Sequence, residues 1–162
     1  ELINSIEEEK IKLKSKVPII VKVSPDILDD QVNSISKILL EYKVSAIIIS
    51  NTTDVNREVL QNILKHQKGG LSGKPLEQRS NLMINKFYNL LKGKIEIIGV
   101  GGVDSGKSAY EKFLAGASYV QLYTGMVFQG PNIVAKIKKE LKEILTNDGV
   151  KNFKEIIGKN SH

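Results

Sequence analysis

Two groups of residues have types and spacings that could do chemistry. The stretch GVGGVDSGKS, residues 99–108, satisfies G-x-x-x-x-G-K-[ST] from Gly101 to Ser108 and lies between the apolar run IEIIGV and a helical pattern. That context is what a triphosphate-binding P-loop requires: backbone N–H groups cradle the phosphates while the Lys and Ser reach phosphate and magnesium. The second group is more dispersed. Lys22 sits inside the apolar run VPIIVKV (17–23), where Ile20, Lys22 and Ser24 share one face of an extended chain and Val21 and Val23 take the other. A lysine in a strand that is apolar on both faces is either snorkelling at an edge or a charge held for a purpose. Ser50-Asn51-Thr52-Thr53 closes another apolar run. Its amide and hydroxyls suit a polar ligand, and equally suit the side-chain-to-backbone bonds common in loops.

The elements that must position these groups can be read from periodicity. Four short β-rich runs, VPIIVKV (17–23), SAIIIS (45–50), IEIIGV (95–100) and SYVQLYT (118–124), alternate with helical patterns. Residues 29–42 place Val32, Ile35, Ile38, Leu39 and Tyr42 on one helical face, and residues 131–145 do the same with Ile133, Ile137, Leu141, Ile144 and Leu145. Ser105 is the expected N-cap of a helix running to about Leu114 and closed by Ala115-Gly116. Two further helix-like pieces, about 55–66 and 76–91, flank the loop KGGLSGKPL. Strands alternating with helices predict βα units and a parallel sheet.

Every polar strand terminus then falls at one end of that sheet. Lys22 precedes Ser-Pro-Asp, Ser50 opens Asn51-Thr52-Thr53, Gly101-Gly102 follow the third strand, and Tyr123-Thr124-Gly125 the fourth. That carboxyl end is where parallel α/β folds bind ligands. It also weighs against the P-loop, which needs an acid at the end of another apolar strand to hold magnesium. Asp26, beyond a proline, is the nearest candidate and a poor one. GVGG and LYTG, one βα unit apart, fit instead the phosphate site that barrel enzymes build from backbone N–H groups after two late strands. On that reading Lys107 and Ser108 lie in the first turn of an outer helix without a binding role.

Composition excludes several classes. The chain has 162 residues, 41% hydrophobic and 26% charged, which is the make-up of one globular domain with a substantial core. Its formal charge of +6 comes from lysines scattered over predicted helix faces, without the aromatic interleaving of a nucleic-acid surface. Zero cysteines and only two histidines, His66 and His162, leave no thiolate or histidine metal site and no histidine-based triad. No apolar run is long enough to span a bilayer, and ELINSIEEEKIKLKSK is too charged for a signal peptide.

Six segments resemble one family in order and spacing. VKVSPD (21–26), ISNTT (49–53), GGLSGKPL (69–76), IIGVGGVDSG (97–106), AGASYVQLYTG (115–125) and FKEIIG (153–158) are similar to the C-terminal half of a class 2, quinone-linked dihydroorotate dehydrogenase, from about residue 17 onward. The resemblance implies a (β/α)8 TIM barrel carrying FMN, which oxidises dihydroorotate to orotate in pyrimidine biosynthesis and passes electrons to a membrane ubiquinone. It implies that Lys22 sits beside the pyrimidine edge of the flavin, that Asn51 and Thr52 contact substrate, and that Ser50 and Thr52 also lie near the flavin. Ser72 and Gly73 would lie against the cofactor. Val100, Gly101 and Gly102, with Leu122, Tyr123 and Thr124, would hold its phosphate. Ser24, where alanine is frequent, and the Lys107-Ser108 pair depart from the family pattern, but neither falls on a contact residue. A fixed ammonium about 4 Å from charge developing on the ring is worth roughly 4 kcal/mol at an effective dielectric near 20, before desolvation.

Four βα units make half a barrel, since a complete one needs about 250 residues. The expectation is therefore a charged linker or insertion remnant at 1–16 and the C-terminal half of the barrel at 17–162. By resemblance, the catalytic base (a serine), the quinone tunnel and the membrane-associating helices belong to an N-terminal half. The isolated half is expected to be inactive, with open sheet edges. The implied location is the mitochondrial inner membrane, or the cytoplasmic membrane if the source is bacterial. Three alternatives stay open: another phosphate-binding FMN or sugar-phosphate barrel enzyme, a soluble class 1 relative, and a non-catalytic half-barrel binding module. SNTT and GGLSGKPL argue against the first.

Overall fold

Short β-branched runs alternate with amphipathic segments, and in the computed structural model they form four βα units. The structure describes residues 1–55 and 57–161; His162 lies outside them. In chain order the elements are α1 (Leu2–Lys12), β1 (Ile20–Val23), α2 (Asp29–Glu41), β2 (Ala46–Ile49), α3 (Glu77–Leu91), β3 (Glu96–Val100), α4 (Gly106–Ala115), β4 (Tyr119–Gln121), α5 (Thr124–Gln129) and α6 (Ile133–Asn147). The strands form one parallel sheet in the order β1-β2-β3-β4, with Lys22, Ile48, Ile98 and Tyr119 in one lateral row.

Helix starts follow local chemistry. The Leu28 N–H donates to the Gln31 side chain at 2.8 Å, and Asp29 and Asp30 place carboxylates at the positive end of α2. Ser105 caps α4, its hydroxyl accepting from the Ser108 N–H at 3.2 Å, and Gly116 ends that helix in a left-handed conformation.

Helices cover only one face of the sheet. Val32 and Leu39 of α2 and Met83, Ile84, Phe87 and Leu91 of α3 pack with Ile47, Ile49 and Ile97 into the main core. A second core joins Ala109 and Phe113 of α4, Ile133 and Ile137 of α6, and Ile156 of the tail, where the Phe113 and Phe153 rings meet edge-on at 4.5 Å. The tail is held by backbone bonds from Gly158 to the Phe113 carbonyl and from Asn160 to the Leu114 carbonyl. On the other face Lys22 is exposed, Tyr119 is 60% exposed and Ile48 and Ile98 are only half-buried.

One expectation needs correction. The helix-like piece at 55–66 is not a helix: its described residues hold two short 3-10 turns, Arg57–Val59 and Ile63–His66, and Asn56 lies outside the description. Among the described side chains Val55 is 43% and Ile63 92% exposed, so neither contributes the burial that would repay ordering of an isolated helix. The segment 1–16, expected as a charged linker or insertion remnant, contains α1, whose Ile3 packs against the main core. In this four-strand part of the barrel Lys22 is exposed on the face opposite the helices, the face that a closed barrel turns inward.

Candidate functional site

The carboxyl ends of all four strands open into one cleft of about 910 Å³. That volume lies within the range of small-molecule and cofactor sites. The cleft is lined by Lys22 from β1, by Ser50, Asn51 and Thr52 after β2, and by Ser72 and Gly73 from the glycine-rich loop. Val100, Gly101 and Gly102 after β3 and Leu122, Tyr123 and Thr124 after β4 complete the set singled out from sequence.

Each loop is tied to its neighbours. The Asn51 N–H donates to the Val23 carbonyl at 2.9 Å and the Ser50 N–H to the Val100 carbonyl at 3.2 Å, so the end of β2 is stitched to both adjacent strands. Thr53 and Leu71 exchange backbone bonds in an isolated antiparallel bridge, which folds the glycine-rich loop back over the Asn-Thr segment. Thr124 donates through its hydroxyl to Ser72 at 2.9 Å, joining that loop to the end of β4. Asp26 accepts from the Thr53 hydroxyl at 2.6 Å and the Asp54 N–H at 3.0 Å, and pairs with Arg79 at 3.0 Å.

These bonds leave particular groups free. Among the described residues the Lys22 ammonium and the Asn51 side-chain amide, both exposed, have no hydrogen-bond or ion-pair partner. Gly101 and Gly102 take φ of 108° and 80°, and a Cβ on Gly102 would strike Glu77 at 2.4 Å. Only glycine lets the backbone turn here and lie this close to α3. At the rim Lys74 pairs with Glu77 at 2.6 Å, a hydrogen bond that raises the pKa of the lysine.

The P-loop reading has no support in this geometry. Lys107 is exposed and does not line the cleft, while the buried Ser108 hydroxyl accepts from the N–H groups of Asp104 and Ser105 at 2.9 and 3.0 Å. The first N–H of α4 is already taken by the Glu140 carboxylate at 2.6 Å, and Asp26 is spent on loop contacts rather than free for magnesium.

A family model described as Dihydroorotate dehydrogenase matches residues 1–145. The chain belongs to the dihydroorotate dehydrogenase family. It is 44% identical over 153 residues to the mitochondrial quinone-linked dihydroorotate dehydrogenase of Mus musculus, covering 94% of this chain and 38% of that protein. To the quinone-linked enzyme of Wigglesworthia glossinidia brevipalpis it is 46% identical over 144 residues, 86% of this chain and 42% of the relative. The solved dihydroorotate dehydrogenase of Eimeria tenella in complex with ferulenol superimposes with a TM-score of 0.91 at 32% identity, over 98% of this chain and 46% of that one. The ligand-free form gives 0.84 at 37% identity, over 87% and 39%. The chain thus spans less than half the length of these relatives, and its four βα units are part of a (β/α)8 barrel.

The cleft of this family member also has walls that the sequence motifs do not reveal. Gln121, Met126, Phe128, Gln129 and Val134 line it from β4, α5 and α6, and Lys74, Leu76 and Asp104 from its floor and rim. Gln121 was legible as an open-face residue, two positions from Tyr119 on its strand. Met126 and Phe128 were not, because the six-residue α5 is too short to show a period. Among the described residues no helix is long and apolar enough to cross a membrane. No group of three or more metal-ligating side chains occurs among them either.

Proposed function

We propose that this chain is the C-terminal part of an FMN-dependent, quinone-linked dihydroorotate dehydrogenase, and that its cleft takes FMN together with one side of dihydroorotate. The observation that carries this reading is the free ammonium of Lys22 beside the unpartnered amide of Asn51, with the Gly101–Gly102 and Tyr123–Thr124 backbone further along the same cleft. The residues fit the cofactor. The Lys22 ammonium stands unpaired in the lining, which suits an anionic ligand, and the two left-handed glycines offer backbone without a Cβ in the way.

When bound, FMN supplies the two-electron chemistry that none of these side chains can perform. Lys22 would hold the pyrimidine edge of the ring, with Ser50, Thr52, Ser72 and Gly73 along its flank. Val100–Gly102 and Leu122–Thr124 would hold the phosphate. A preset ammonium stabilises negative charge where it develops, without reorganisation at the moment of reaction. Asn51 both donates and accepts, as recognition of an imide and a carboxylate requires, and Thr52 adds a hydroxyl beside it.

Closing the barrel needs further βα units, and we place there the general base (a serine), the quinone path and the membrane-associating segment. The isolated chain is accordingly inactive in this reading. The protein would work at the mitochondrial inner membrane, in keeping with the mouse relative, or at the cytoplasmic membrane of a bacterium.

The test is a visible spectrum of the purified polypeptide before and after dihydroorotate in the absence of oxygen, with intact mass to define its length. A flavin band that bleaches, on a chain longer than 162 residues, is the expected result. A colourless, folded protein overturns the reading.

A further inference from the structure

Lys112 lies in α4 on the covered side of the sheet, and none of the roles above uses it. It is fully buried. Its stem runs against β3, where a Cβ on Gly99 would come within 3.0 Å of the Lys112 Cδ, so a glycine inside the strand makes room for it. The ammonium donates to Asn81 Oδ1 at 2.8 Å and to Ser80 Oγ at 3.0 Å, both on α3. Ser80 is also fully buried, and its hydroxyl donates to the Val100 carbonyl at 2.6 Å. The same carbonyl accepts from the Ser50 N–H at 3.2 Å, so both of its acceptor positions are engaged.

A buried ammonium is an expensive way to fill space, and an apolar side chain of similar volume does so at no electrostatic cost. Burial pushes the Lys112 pKa down to about 8, with Glu77 of α3 and Glu111 of its own helix opposing that shift and Lys74 adding to it. What distinguishes this lysine from a hydrophobic filler is the carbonyl at the end of its hydrogen-bond chain, the first residue of the Val100–Gly102 turn.

We propose that Lys112 is a positioning residue for the Val100–Gly102 turn, acting through Ser80 on the Val100 carbonyl. The inference rests on the FMN reading above. A trans peptide holds its C=O and N–H antiparallel, so fixing the Val100 carbonyl fixes the direction of the Gly101 N–H. A charged donor at the head of the chain strengthens the bonds behind it. The turn is thereby set before an anion arrives, and binding has less ordering to do. The defect caused by breaking the chain is confined to the phosphate end of the ligand.

The experiment uses the native polypeptide, isolated whole and stripped of flavin. It is titrated with FMN and with riboflavin, which lacks the phosphate, while the melting temperature of the flavin-free protein is followed. Lys112→Met is expected to weaken FMN about tenfold and to leave riboflavin within about twofold, without lowering the melting temperature. Ser80→Ala is expected to weaken FMN and spare riboflavin in the same way, with a lower melting temperature because the buried ammonium loses an acceptor, and the double variant to bind FMN no worse than either single, because both act in one chain. Equal weakening of FMN and riboflavin, or no weakening of either, overturns the proposal. Should Lys112→Met fail to fold, Ser80→Ala removes a single oxygen and carries the same two readings. A parent that binds neither flavin overturns the FMN reading and this inference with it. A parent that binds FMN and is indifferent to both substitutions overturns the role of Lys112 alone.

Discussion

On the covered face of the sheet, Ile47, Ile49, Ile97 and Phe87 are all but inaccessible, and the one lysine among them, Lys112, is hydrogen-bonded and buried. On the open face, β1 presents Lys22 exposed and without a partner, in the same lateral row as the 60% exposed Tyr119. The strands are the same on both sides and their alternation is the same; what differs is that helices supply a covering layer on one side, while the other is the face that a closed barrel turns inward. Where helices supply that layer, side chains are fixed by packing and polar groups must be satisfied internally. Where nothing does, polar groups keep their hydrogen-bonding capacity for something else. Substitutions of apolar side chains on the covered face should therefore register in stability, and substitutions of the unpartnered polar groups on the open face in binding.

The largest effect expected is on the covered side. Phe87 is fully buried at the centre of the main core, and Phe87→Ala should destabilise the fold by about 3–5 kcal/mol. Denaturant unfolding of the whole polypeptide measures this directly. A loss under about 1 kcal/mol, with flavin affinity impaired instead, would erase the distinction between the faces.

Next in size is a pH effect of the buried lysine. The folded pKa of Lys112, lowered to about 8 by desolvation, is below its ordinary 10.5, so the folded chain gives up this proton first. Between those values the unfolded state binds more protons, and stability contributed by this site must rise with pH. The gain is on the order of 3 kcal/mol across the window, absent below about 8 and complete above about 10.5. Comparing melting curves of the parent with those of Lys112→Met isolates it from other groups titrating there. A difference between the two that stays flat from pH 8 to 10.5 contradicts the burial of a titrating amine.

Lys22 supplies the opposite case. It has no protein partner to lose, so Lys22→Ala should leave the melting temperature of the flavin-free protein where it was while slowing flavin reduction by on the order of 100-fold, or emptying the flavin site. Anaerobic stopped-flow reduction by dihydroorotate reads the first outcome and the absorbance ratio of flavin to protein the second. Normal occupancy with a normal rate removes Lys22 from the site.

Much of this contrast was legible before any coordinates. The alternation of strands with helices and the covered faces of α2 and α6 follow from periodicity, except that Ile38, assigned to the α2 stripe, is 43% exposed. All twelve sequence-named cleft residues line one cavity, since a parallel sheet brings every strand's carboxyl end to the same side. Periodicity shows alternation along β1 and so places Ile20 and Lys22 on one face. It overcalled 55–66, where Val55 and Ile63 recur at helical spacing but are exposed. Lys112 left no trace in the sequence, since its neighbours EKFLAG read as an ordinary helix face and its partners Ser80 and Asn81 lie more than thirty residues away.

The smallest effect, and the sharpest division within the open face, concerns Asn51. Its backbone is committed, with the N–H on Val23 and the carbonyl accepting from the Ser50 hydroxyl at 3.0 Å, while its side chain is free. Asn51→Ala therefore removes an amide from the cleft without disturbing the bonds that hold the loop, and the loop should keep its shape. Loss of one or two neutral hydrogen bonds corresponds to about tenfold in affinity. Orotate titrated into the FMN-loaded protein should bind about tenfold more weakly, with flavin content unchanged. If flavin is lost instead, Asn51 belongs with Lys22 on the cofactor side, and the boundary between ligand and cofactor within the cleft has to be moved toward β3.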